Sequence, residues 1–147
     1  MVFENLISGL IGAVALNLLH EGLKHKKGTP RIDLLGEEAL TKILNVFDVS
    51  IDGKSKRYQA TLAGDIISNS LYYSLIGNGS STFIWHRAIL SGLTAGIGAV
   101  TLPVPMGLDE KPVAKTNQVK MLTIAYYLAG ALVTATALKL IKPTVKL

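Results

Sequence analysis

Three short patterns in this chain have the residue types for chemistry, and spacing decides what each could do. His20, Glu21 and His25 approximate the HExxH helix that holds zinc between two histidines one turn apart, with the glutamate as base. The second histidine comes one residue late, and five residues turn a helix about 140° past a full circle, so the two rings point apart. From Asp48 to Gln59, DVSIDGKSKRYQ has oxygen side chains at the first, third and fifth positions of a calcium loop and Gly53 at the sixth. Gln59 stands where a bidentate glutamate should close the cage, and Lys54, Lys56 and Arg57 add cations to it, so the stretch reads as an Asp-Gly turn. The chain contains no cysteine, hence no thiolate ligand or disulfide, and no GxSxG, phosphate-loop or dinucleotide fingerprint. These patterns assign no catalytic residue, metal site or cofactor.

The remaining candidates are polar residues inside apolar runs. On a helical period, Gly9, Ala13, Asn17 and Glu21 share one face of the first run with His20 beside them, while Thr61, Asp65, Ser68, Asn69 and Tyr72 line a stripe of the second. Asn17 lies six residues and Asp65 seven from the loop joining the two runs, or roughly 9 and 10 Å along helices of 1.5 Å rise. They are therefore level, and Asn17, His20, Glu21, Asp65 and Asn69 are expected to form one polar cluster between helices. Such a cluster can serve as a hydrogen-bond network that fixes helix register, or as a proton or ligand site. Arg87, one turn before Ser91, can contact an anion or lipid headgroup or snorkel to the interface. Tyr72, Tyr73, Tyr126 and Tyr127 read as interface anchors or core. The five-residue histidine spacing also resembles one histidine box of membrane desaturases, whose di-iron sites need many more histidines than the three here.

The elements that must position these residues are four apolar blocks, expected as helices over about 6–23, 58–76, 86–106 and 121–141. The stretch from Phe83 to Met106 reads as the one around which the others pack. Its part from Ala88 to Met106 is 19 residues without charge, near the roughly 20 that cross hydrocarbon. Trp85 marks one end, and Pro103 and Pro105 stop the helix at the other. Gly92 and Gly96 form a GxxxG ridge, and Gly130 lies among small residues of the last block, which suits close helix contact. The second block is the most polar, and GNGSST (residues 77–82) turns it back against the third as an antiparallel hairpin. In the first loop, Thr29 and Pro30 form a helix-start signal, and Ile32, Leu35, Ala39, Leu40, Ile43, Val46 and Phe47 recur at helical spacing. An amphipathic helix over about 30–47, packed on the end of the bundle, is expected.

The fold class is thus all-α: one transmembrane domain over residues 1–147, a four-helix integral membrane bundle with an amphipathic helix in its first loop. A mean hydropathy of +0.40 agrees. The first run follows Glu4 without a basic lead and precedes no small-residue cleavage site, so no removable signal peptide is expected. The net charge of +5 comes from lysines and arginines between the blocks, where it serves topology rather than nucleic acid. Eleven Lys and Arg lie in the first and third loops against four on the other side, among them Lys139, Lys142 and Lys146. Both termini are expected outside the cytoplasm.

His20-Glu21, PRIDLLG (30–36), LYYSLIG (71–77), PVPMGL (103–108) and AYYLAG (125–130) together resemble a family of small uncharacterised bacterial integral membrane proteins. The resemblance implies a bacterial inner-membrane location and no activity. Two readings follow. One is a non-enzymatic protein acting by helix association, as a homo-oligomer or accessory subunit of a membrane complex, with the lipid bilayer around it. The alternative is a small transporter or proton-linked carrier that works through Asp65, His20 and Glu21.

Overall fold

A computed structural model describes residues 1–142 of the chain. Its elements are α1 (Val2–Leu23), α2 (Ile32–Val46), α3 (Lys54–Ser74), α4 (Ile84–Thr101), α5 (Lys111–Ala114) and α6 (Asn117–Ile141), and no strand occurs among the described residues. Three segments are long and apolar enough to cross a membrane: Val2–Leu23, Ser81–Thr101 and Asn117–Ile141. The fourth expected crossing, α3, is not among them, because Gln59, Asp65, Ser68 and Asn69 interrupt its apolar residues.

Local chemistry explains where the helices stop. Pro103 has no N–H to continue the hydrogen-bond ladder, so α4 ends at Thr101 and not at Met106. The last helical bond there runs from Leu102 N–H to the Gly98 carbonyl at 2.9 Å. At the start of α6, the Thr116 hydroxyl accepts from Val119 N–H at 3.1 Å, which begins the helix four residues earlier than hydropathy implies. Thr29 does not cap α2. Its hydroxyl donates back to the carbonyls of Leu23 and Lys26 at 2.8 and 2.7 Å, closing the end of α1. Consequently α2 begins at Ile32, two residues later than Pro30 predicts. Similarly, α1 starts at Val2 rather than Leu6, and α3 covers Lys54–Ser74 rather than 58–76. Lys146 of the charge count lies outside the described residues.

The four long helices alternate in direction and stand in a curved row in the order α3, α1, α6, α4. Glycine sets each contact. A Cβ on Gly9 would strike the backbone of Ser70 and Ser74 in α3, and one on Gly12 would strike Gly130 and Thr134 in α6. On the other side of α6, a Cβ on Gly92 would lie 2.7 Å from Leu128 Cα, and one on Gly96 2.6 Å from Ile124 Cα. Backbones this close admit no larger side chain. The expectation that Phe83–Met106 forms the centre is therefore corrected: α1 and α6 are central, and α4 is an edge helix. Tyr73, Leu16, Ile76 and Leu138 fill the core, and the Tyr73 hydroxyl donates to the Tyr127 carbonyl at 2.7 Å.

The α3–α4 hairpin departs from expectation too. Its two helices meet at the turn, where the Tyr72 hydroxyl donates to the Ser91 carbonyl at 3.0 Å, and diverge away from it. The reason is the row itself, since α3 is held by α1 and α4 by α6. Across the wide end of this gap lies α2, with Ile32 buried and Leu35, Gly36 and Ala39 facing the gap. The later turns of α2 do not pack on the bundle as its periodicity predicts: Ile43, Val46 and Phe47 are 58%, 79% and 72% exposed.

Candidate functional site

At the loop end of α1 and α3, polar side chains form a chain of contacts that runs inward from the surface. Outermost, Lys24 Nζ lies 2.9 Å from Glu21 Oε2 and donates to the Tyr58 hydroxyl at 3.1 Å. The Tyr58 hydroxyl in turn donates to Glu21 Oε1. The neighbouring Glu21 carboxylate holds the Lys24 ammonium above its ordinary pKa. One step inward is His20, whose side chain is 4% exposed, with Nδ1 3.5 Å from Glu21 Oε1 and Nε2 3.2 Å from Asp33 Oδ1. The approach of Nε2 to Asp33 lies off the line of an aligned N–H donor, so it is a close polar contact and not a formed hydrogen bond.

Asp33 is the residue that sequence reasoning missed. It falls among the residues between the apolar positions of α2, but the first turn of α2 meets the end of α1 and leaves the Asp33 side chain only 7% exposed. Arg31 grips it with two parallel bonds, Nε to Oδ1 at 2.8 Å and Nη2 to Oδ2 at 2.7 Å. Burial alone would push the Asp33 carboxyl up, yet the Arg31 fork and the His20 ring outweigh burial and hold it well below the usual carboxylate range. An Asp two residues after an Arg is too common a pattern to have pointed to this contact. Tyr58 was likewise only a helix boundary in the sequence.

Innermost are Asn17 and Asp65. The Asn17 amide donates to the Ala13 carbonyl at 2.9 Å and faces Asp65 across a small cavity of about 30 Å³. His20, Glu21, Asp33, Thr61 and Asp65 line the same cavity, which has room for a water molecule with several polar partners. Asn69, one turn along α3, donates to Asp65 Oδ1 at 3.0 Å. The structure thus brings Asn17, His20, Glu21, Asp65 and Asn69 together and adds Asp33. Ser68, placed on the same stripe by periodicity, is exposed and bonds the Asp65 carbonyl.

Asp65 also lines a second and larger space, the gap between α3 and α4. It is a cleft of about 430 Å³ with Asn69 and Tyr72 along α3, Ala95, Ala99 and Leu102 along α4, Tyr127 on its floor and α2 across its end. Asp65 therefore forms part of the wall between a water-sized polar cavity and a mostly apolar cleft.

The other candidate residues lie elsewhere. Gly92 and Gly96 face α6, and Gly130 receives the ring of Tyr73, so all three serve contacts inside the chain. Arg87 does not extend toward a headgroup. Its Nε donates to the Ile76 carbonyl at 2.8 Å and its Nη1 to the Ser80 carbonyl at 2.9 Å, which fastens the α3–α4 turn. His25 is exposed, whereas His20 is buried. The stretch from Asp48 to Gln59 is a turn with Asp48 at φ 54° and Gly53 at φ 96°, leading directly into α3. Among the described residues no three His, Asp or Glu side chains converge as metal ligands. The hydroxyls of Thr61 and Ser70 are bonded to backbone carbonyls four residues back. What the arrangement can do is hold a proton or a polar group at Asp65 and connect it with the surface through His20, Asp33 and Glu21. No protein-family model, curated protein or solved structure matches the chain, so the site stands on its own geometry.

Proposed function

We propose that the chain is a multi-pass protein of a bacterial inner membrane and that Asp65 is its working group, the proton-linked site of a small carrier. The observation that carries this reading is the place of Asp65 between a polar cavity connected to the surface and an apolar cleft. An ionisable side chain at such depth is costly to keep and belongs to pathways and relays more often than to packing. The competing reading, association as a homo-oligomer or accessory subunit, drew on the small-residue ridges. Gly92, Gly96 and Gly130 are taken up by contacts within the chain, so those ridges support it less.

Four crossings are part of the proposal, although α3 is too polar to qualify by composition. Support comes from its run beside α1, from the Tyr58–Glu21 contact at one end to Gly77 against Asn5 at the other. Lys142 Nζ donates to Asn5 Oδ1 at 2.7 Å, so α1 begins where α6 ends. With eleven basic residues at the opposite end, that shared end is placed outside the cytoplasm.

A lipophilic carbodiimide reacts with a protonated carboxyl in an apolar setting. In membranes at neutral pH the reagent should modify Asp65, located by peptide mass spectrometry, and should leave the Asp65→Asn protein unlabelled at this position. An unreactive Asp65 in the wild-type protein would remove the proton-linked reading.

A further inference from the structure

The structure assigns a ligand class to the α3–α4 cleft: we propose that it takes a lipophilic amine, its ammonium on Asp65 and its apolar body between the two helices. The inference rests on the reading of Asp65 as the working group and adds what that group would meet.

Charge selects the class. Asp65 lines a cleft whose lining includes no Lys, Arg or His among the described residues. Asn69 and Asn17 supply donors, and a carboxylate accepts about four, so acceptor capacity remains at the wall of a cleft that has no cation to use it. A bound ammonium would provide that partner as Asp65 gives up its proton, whereas a fatty acid would bring like charge to the carboxylate and a neutral alcohol could not displace the proton. Shape agrees. Ala95, Ala99 and Leu102 give α4 a smooth apolar wall, and a volume of about 430 Å³ falls in the range of small-molecule sites, about 300–1,000 Å³.

Depth separates a free amine from a lipid headgroup. Asp65 is seven residues inside the start of the expected crossing, about 10 Å at helical rise, below the level at which a phospholipid keeps its amine. Access is sideways, because α2 covers one end of the cleft and the Tyr72–Ser91 bond closes the other. If Asp65 is protonated before the ligand arrives, binding an ammonium displaces that proton. The small cavity shared with His20, Asp33 and Glu21 is where it would leave.

The test compares 2-naphthylmethylamine with 2-naphthylmethanol, which have the same apolar body, on the full chain in phosphatidylcholine nanodiscs, with empty discs subtracted. Calorimetry should find the amine at least about tenfold tighter, as expected for a charge-assisted bond. Asp65→Asn should erase that margin, and Ala95→Phe, which fills the cleft, should weaken both compounds. Each variant must elute as the wild type does on size-exclusion chromatography. Equal affinities in the wild type, or a margin that survives in Asp65→Asn, would overturn the assignment whether or not any variant folds poorly. Adding phosphatidylethanolamine to the discs should leave the amine affinity unchanged, and competition by it would give the site to a headgroup instead. Amine selectivity without proton release to a pH dye would keep the ligand and discard the proton linkage. Carbodiimide labelling of Asp65 without amine selectivity would do the reverse.

Discussion

Two faces of α4 use small residues to opposite ends. Toward α6, Gly92 and Gly96 let two backbones touch, and the seam is closed. Toward α3, Ala95, Gly98 and Ala99 meet no helix, and a cleft remains. A Cβ on Gly96 would lie 2.6 Å from a backbone atom, while one on Gly98 would find nothing nearer than the flexible end of Leu102 at 3.5 Å. Small residues permit close approach without compelling it. Whether a ridge becomes a seam or a cleft depends on where the neighbouring helix is held, and here α3 is held by Gly9 of α1.

The contrast breaks most visibly by substitution at the two glycines. Gly96→Leu should destabilise the folded protein by about 3 kcal/mol, because backbone cannot yield as a side chain can. Gly98→Leu should cost little and narrow the cleft. Thermal unfolding of both proteins in one detergent checks this, and comparable losses would erase the distinction between seam and cleft.

Next in size is the roof of the cleft, which Asp33 anchors. Asp33→Ala leaves Arg31 and the buried face of His20 without their partner and should cost about 2 kcal/mol. The pH dependence follows from the sign of its shift. A carboxyl with a folded-state pKa below the unfolded value stabilises the fold at pH above the unfolded value, near 3.9, and loses that contribution as pH falls toward the folded value. Wild type should therefore lose stability below about pH 4 more steeply than Asp33→Asn in the same titration.

Tyr72→Phe removes the bond to the Ser91 carbonyl at the narrow end and should cost about 1 kcal/mol. A larger effect on cleft width than on stability, read by spin-label distances between α3 and α4, would show that this bond sets the angle of the hairpin. The smallest effect belongs to Glu38, which accepts from Asp109 N–H at 3.0 and 3.2 Å on the exposed side of α2. Glu38→Gln should change stability by less than about 0.5 kcal/mol.

Counting residues along the two helices set Asn17 and Asp65 at one depth, with Asn69 a turn further along α3. It could not reveal Asp33, whose burial depends on how α2 enters beneath α1, a contact between distant parts of the chain. The cleft was hidden for a related reason. A short turn such as GNGSST predicts neighbouring helices, and only the grip of α1 on α3 shows that they part. Arg87 looked like a residue for the membrane surface because its sequence position cannot show that the carbonyls of Ile76 and Ser80 lie within its reach. The glycine ridges were legible as contact surfaces, but their partner was another helix of the same chain.

On the proposed four-crossing topology, the Arg87 clasp bears on how the chain would enter a bilayer during synthesis. An insertion machinery that judges segments one by one would find α3 a poor candidate, with Asp65 and Asn69 at its middle. The Ile76 carbonyl, just past the end of α3, receives its donor from Arg87, eleven residues later. That guanidinium emerges only once α4 has begun, so the end of α3 is completed by the helix that follows it. If α3 crosses as proposed, the unit suited to insertion is the hairpin, with the apolar α4 carrying its polar neighbour into the bilayer.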